Sequence, residues 1–366
     1  MLLHRAWFAL LGSLVIGVTL CLTDCGTYRS VPIAPKSTFP YLMYAAGYNT
    51  NKLYVYGVQN DGIISQPALG DYGANNLHAP TGIAVTSTSS GYQYIVVSDS
   101  DDDYLDVYTY NVFGSLVYVG YIVDTDGPYA LVYDEYYDDV FEVRQNTDTL
   151  ALFSVLDDAP YLQYQSSVTI PSQAAVPAIL PLTHNVYIGG SGTLDLYYYA
   201  RGANKTLTLL GNTSLGSQVY YVGAIGNSGY LMDVDNGGSG SSSQIEVWSD
   251  GATGPTLSQK ISLPGASSAS CTSGALGSIY CYVGGPSFIA EYQFTLSSLL
   301  TALSPSSISI PTNSHYISVG PSDEFLYNSD TSSNLTSYGI GSTGQITPQG
   351  GSIPNATYWL SIKNIF

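Results

Sequence analysis

The sequence predicts an all-β fold, a seven-bladed β-propeller with four antiparallel strands per blade. Three observations predict it. A segment of ~45 residues recurs about seven times, which is the period of a propeller blade. Within each copy apolar and polar residues alternate as in half-buried strands, with Gly, Asp, Ser and Asn gathered between the runs. The terminal TYWLSI resembles the opening strand of other copies, such as HYISVG and PTGIAV, while the first copy has only three strands of its own. The C-terminal strand is therefore expected to complete the first blade and close the ring, which removes two unpaired edges.

In chain order, residues 1–25 read as an export leader. His4 and Arg5 precede a nearly unbroken apolar run from Ala6 to Leu20, too short for a comfortable spanning helix. Leu22-Thr23-Asp24-Cys25-Gly26 resembles a bacterial lipobox with Cys25 as the lipidated residue, although Asp24 departs from the small uncharged residue such a pattern has there. Lipidation at Cys25, ordinary cleavage and a retained anchor stay open, and membrane association is expected only through the leader or its lipid. Residues 26–38 are rich in Pro, Ser and Thr and read as a tether. The propeller then spans 39–366, with blades at 41–69, 78–123, 127–170, 175–215, 216–263, 267–310 and 314–353. The Asn60-Asp61-Gly62 turn sets the last hairpin of the first blade. Only 297–303 (SSLLTAL) has helix-like apolar spacing.

Nine Lys plus Arg stand against 27 Asp plus Glu, a formal charge of −18. That balance excludes nucleic acid, whose phosphates need many cationic contacts, and it disfavours anionic membranes and phosphorylated substrates. Charged residues are only 10% of the chain, so solubility leans on Ser, Thr, Asn, Gly and the hydroxyls of 34 Tyr. A surface so poor in ionisable groups predicts a stability that varies little with pH. This suits an acidic or harsh external medium, with a lineage bias in composition as the alternative.

In a four-stranded blade, the loops between second and third strands share one face with the links between blades. Asp99, Asp101 and Asp103 fall on that face with Asp235, as do Asp124, Asp126, His78 and His315. The acidic residues are candidate ligands for Ca²⁺, which takes six to eight oxygens. The run from Asp233 to Gly238 opens like a calcium loop but has Gly at its fifth position and no Glu at the twelfth. The competing reading is turn chemistry, since Asp, Asn and Gly are turn formers. Arg144 ends a second strand and Arg201 a third, so the two are expected on opposite faces and cannot clamp one anion together. Cys271 and Cys281 flank a hairpin and are expected to pair in an oxidising compartment, and they do not suffice for zinc. The Tyr runs at 104–110, 197–199 and 220–221 should point alternately inward and outward.

HAPTGIAV with YIVVSDSDDDYLDVYTYN, VYIGGSGTLDLYYYARGANKTL and FLYNSDTSSNLTSYGIGSTGQITPQ carry a wider likeness. Their pattern resembles the lactonase-type seven-bladed propellers, the superfamily of 6-phosphogluconolactonase-like and YVTN-repeat proteins. The resemblance covers nearly all of 39–366. It implies hydrolysis of a sugar lactone, or cyclisation to one, by His, Glu and Arg on the central face. Here His78, Glu142, Arg144 and His315 would stand in, though none lies in a matching motif. Two functions from different classes follow. One is an exported, surface-tethered binding or structural module whose partner is a cation, a glycan or a surface protein. The other is a lactone hydrolase with His78 or His315 as general base and Arg144 polarising the carbonyl of a small lactone.

Overall fold

The computed structural model describes residues 39–364 apart from 67, 74–76, 111–114, 172–175, 191–194, 216, 236–242, 276, 333 and 355–358. The leader, Cys25 and the tether lie outside the described residues. Seven four-stranded antiparallel sheets form the blades of a ring. Blade two, for example, runs Pro80–Ser87, Gln93–Asp99, Tyr104–Tyr110 and Leu116–Val123 in spatial order from the axis outward. Blades three to seven repeat this order, beginning at Pro128–Asp134, Ala178–Ile179, Val219–Ala224, Ser268–Cys271 and Ser314–Val319.

Blade one is the exception that closes the ring. Its chain-order strands Tyr41–Gly47, Lys52–Val58 and Gly70–Tyr72 are the outer three, and Trp359–Asn364 supplies the innermost. The register runs from Tyr41 opposite Asn364 to Ala46 opposite Trp359. The same terminal strand packs against the first strands of blades two and seven. The last hairpin of blade one is interrupted, because Ile64 makes one bridge to Val58 before pairing resumes at Gly70.

Burial follows position in the blade. Second and third strands are buried on both faces, as in Gln93–Asp99 and Asp139–Arg144, because neighbouring blades cover them. Fourth strands alternate buried and exposed, as in Leu116–Val123 and Leu162–Thr169, because one face meets water. The core is thus a set of apolar layers between blades. Leu105 and Val107 meet Val140 and Phe153 between blades two and three, and Leu196 meets Leu231 and Trp248 between blades four and five. Each such buried side chain contributes about 1.5–3 kcal/mol.

The segment with helix-like spacing is a strand. Leu299–Ser309 pairs with Phe288–Thr295, placing Leu300 opposite Phe294 in the core, so cross-strand burial overrides the local spacing. Among the described residues the helical structure is one 3-10 turn at Tyr48–Thr50, and no helix is long and apolar enough to cross a membrane. Cys271 and Cys281 are direct cross-strand partners in blade six and are joined by a disulfide.

On the face opposite the blade links, acidic side chains bind one blade to the next. Asp323 of blade seven accepts from the Ser273 hydroxyl at 2.6 Å, the Ser273 amide at 2.8 Å and the amides of Gly274 and Ala275 at 3.2 Å. That blade-six turn in turn lies on Gly226 of blade five, where a Cβ would come 2.7 Å from the Ser273 carbonyl oxygen. Asp157 accepts from Thr88 across blades two and three at 2.8 Å. Such charge-assisted bonds add to the apolar layers at every turn they reach.

Candidate functional site

A recurring irregularity builds the site. Where the innermost strand starts at the loop-rich face, the register slips by one residue in blades two, three, five and seven. The extra residues are Thr81, Tyr129, Tyr220 and His315. A β-bulge leaves its extra residue unpaired and re-aims its side chain. Three of these four, Tyr129, Tyr220 and His315, line a cavity of about 400 Å³. Starts of the innermost strands and the adjoining links supply most of the wall, so the cavity sits at the loop-rich mouth of the central channel.

Its remaining wall includes Tyr221, Tyr316, Asn313, Thr331 and Ser267, Ser268 and Ser314, with Val176 and Pro286 as apolar members. Among the described residues, no Asp, Glu, Lys or Arg lines it. His315 is its one ionisable group near neutrality, and burial lowers the imidazole pKa, so the ring is neutral at pH 7. The cavity therefore offers aromatic faces and hydrogen-bonding groups without net charge.

The other sequence candidates lie elsewhere. Arg144 donates from Nε to Glu142 at 2.8 Å, from Nη1 to Asp126 at 3.0 Å, and its Nη2 stands 2.5 Å from Asp124. Its guanidinium also lies over the Phe153 and Tyr164 rings at 5.6 and 5.5 Å. Buried and shared among three carboxylates, it has little left to polarise a substrate carbonyl. Burial pushes the Glu142 carboxyl well above its usual range, and adjacent Asp124 adds to this against the pull of Arg144. This quartet ties the link between blades two and three to the end of the Asp139–Arg144 strand.

His78 is exposed and bonds Asp102 through Nδ1 at 2.6 Å. That hydrogen bond and the Asp102 charge raise the His78 pKa. It does not line the channel cavity, so His78, Arg144 and His315 do not converge. Arg201 pairs with Asp139 at 2.6 Å and lies over Tyr137 at 4.2 Å, on the other face from Arg144.

Asp99 groups with His78 and Asp102, but its carboxylate already accepts the backbone amides of His78 at 2.6 Å and Asp102 at 3.3 Å. That is the bonding of a turn. Asp101 and Asp103 join no metal-competent group among the described residues, and Asp103 takes a left-handed conformation at φ 58°. Asp235 stands apart in blade five, grouped with Asp233 and Glu246. Asp233 and Asp235 are strand residues, so the run from Asp233 does not begin as a calcium loop.

Several acids are buried mid-blade. Burial raises Asp106 to about 7, Glu291 to about 7 and Asp99 to about 6. These buried acids predict a pH dependence of stability beyond the weak one expected from the surface composition.

Solved structures share this fold at low identity. A putative 6-phosphogluconolactonase from Bacteroides fragilis superposes with a TM-score of 0.71 at 13% identity, covering 90% of this chain and 100% of that one. A second, from Bacteroides uniformis, gives 0.71 at 12% identity over 88% and 100%. The periplasmic gluconolactonase of Pseudomonas aeruginosa gives 0.69 at 14% identity over 89% and 99%. No family model matches the sequence, and no curated protein matches it. At these identities the likeness establishes the fold alone, a seven-bladed β-propeller.

Arg144→Ala leaves Glu142 and Asp124 buried without their cation and should destabilise the protein by about 3–5 kcal/mol in urea unfolding. An unchanged midpoint would show that the quartet is dispensable. Asp106 and Glu291 have folded-state pKa values above their unfolded ones. The protein should therefore be most stable below the unfolded values and lose stability as pH rises through about 7. Melting temperature should fall between about pH 4 and about pH 8, and Asp106→Asn with Glu291→Gln should flatten that fall. An equal slope in the double variant would assign the effect to net charge instead.

Proposed function

We propose that this chain is an exported, surface-tethered propeller that binds an uncharged, polyhydroxylated ligand, a neutral glycan, at the mouth of its central channel. The observation that carries this reading is the cavity wall, with four tyrosines, hydroxyl and amide groups and, among the described residues, no charged side chain. Tyrosine rings stack on the apolar faces of sugar rings while hydroxyls and amides bond their rims. The absence of lining cations makes a phosphorylated ligand a poor fit, since a phosphate calls for charge-assisted bonds. Export and tethering rest on the leader and the 26–38 stretch, with lipidation at Cys25 as one route, and the disulfide suits an oxidising compartment.

Two observations favour a second reading. The neighbours carry lactonase names, and His315 places a neutral imidazole in the cavity. In that reading His315 is the general base for water attack on an uncharged sugar lactone, without help from Arg144 or His78.

Calorimetric titration of the 39–366 domain with neutral oligosaccharides should give saturable binding. Tyr220→Ala, at a half-exposed position, should weaken it by about tenfold, the loss of one stacking contact. Absence of binding to any neutral sugar by the folded domain, or equal binding by the variant, would refute the proposal. Lactone turnover above the spontaneous rate, abolished in His315→Gln, would establish the second reading in its place.

A further inference from the structure

Blade five holds an arrangement that the channel-mouth reading does not use. Asp233 and Glu246 face each other across the second and third strands, and Glu246 faces Lys260 across the third and fourth. Asp235 lies two residues beyond Asp233 and so shares its face. Register alone therefore gathers three carboxylates and one ammonium in a row above the apolar layer that includes Leu231 and Trp248. One oxygen from each of Asp233, Asp235 and Glu246 lies within 4.8 Å of the others.

The hydrogen bonding is lopsided. Trp248 Nε1 donates to Asp233 Oδ2 at 2.9 Å, Gln244 Nε2 donates to Asp235 Oδ2 at 3.2 Å and to Glu246 Oε1 at 3.4 Å, and Lys260 Nζ stands 2.5 Å from Glu246 Oε1. The second oxygen of each carboxylate, Asp233 Oδ1 and Glu246 Oε2, meets no donor, although the residues are 0% and 1% exposed. A buried carboxylate oxygen without a partner costs several kcal/mol unless something fills the space. Three carboxylates face one ammonium in this row, an excess of acid that a divalent ion would balance. The donors are all oxygen, with no His or Cys, the set that a hard cation takes.

We propose that Asp233, Asp235 and Glu246 form a buried site for a hard divalent cation of the Ca²⁺ class, oriented by Trp248 and Lys260. The bonds from Trp248 and Lys260 hold Asp233 and Glu246 with their second oxygens turned toward the ion position, as hydrogen bonds from neighbouring groups orient metal ligands. The site lies between blades four and five, so its occupancy stiffens that junction rather than touching the sugar cavity.

Trp248 makes the test direct, because an indole bonded to a ligand sensitises terbium emission. Terbium(III) titrated into the folded protein should give saturable luminescence with one ion per chain, displaced by Ca²⁺, and Ca²⁺ should raise the melting temperature. Asp235→Asn and Glu246→Gln should each weaken terbium binding by about tenfold or more. Asp101→Asn, in the acidic loop of blade two, should leave it unchanged. Should Glu246→Gln fail to fold, Asp235→Asn carries the test. Absence of saturable emission and of a Ca²⁺ shift would overturn the proposal and assign the cluster to shared protons. Emission that survives Asp235→Asn but falls in Asp101→Asn would overturn it in favour of the surface loop.

Discussion

Everything in this molecule hangs on the pairing of the last strand with the first blade. Trp359–Asn364 is the innermost strand of a sheet whose other members begin at Tyr41, and it touches the innermost strands on both sides. Without it, blade one has no strand at the axis, and blades two and seven lose a neighbour. The cavity at the channel mouth is drawn from strands in blades three, five, six and seven, which keep their spacing only while the ring is closed. A long-range pairing of this kind is slow to form and rewards the chain only late, after the intervening blades are in place.

The second constraint is economy of charge. With so few cations, most buried acids cannot be neutralised by salt bridges. Three solutions coexist. Arg144 serves Glu142, Asp124 and Asp126 at once. Asp323 and Asp157 take backbone or hydroxyl donors from the next blade. Asp106 and Glu291 are pushed up until a proton does the work. Blade five, with three acids in one row, fits none of these alone, which is what sets it apart.

The blades were legible in the sequence because alternation and turn residues are local, and Gly, Asp and Asn mark each hairpin. The closing strand was legible too, since one copy lacked a strand and the terminus had a spare. The site was not. Arg144 looked available because Asp124 and Asp126 are distant in sequence, and only the fold of the blade link brings them to it. Asp233 and Asp235 looked like a loop because their partner Glu246 lies beyond an intervening segment, and register is invisible until strands are paired. The bulges that aim Tyr129, Tyr220 and His315 carry no composition signal at all. Their mark is positional, the residue after the opening one in the first strand of a blade, as in PYALVYD. SSLLTAL is too short for its helical spacing to carry weight, and it is a strand whose burial is set by its neighbour.

The most direct test of this account is hydrogen–deuterium exchange on the 39–366 domain and on a chain ending at residue 354. Closure as the governing constraint predicts that the shortened chain loses protection in blades one, two and seven together, including the buried Tyr41–Gly47 and Pro80–Ser87 strands. Protection retained there, with only the terminus altered, would show that the blades stand without closure and would contradict the account.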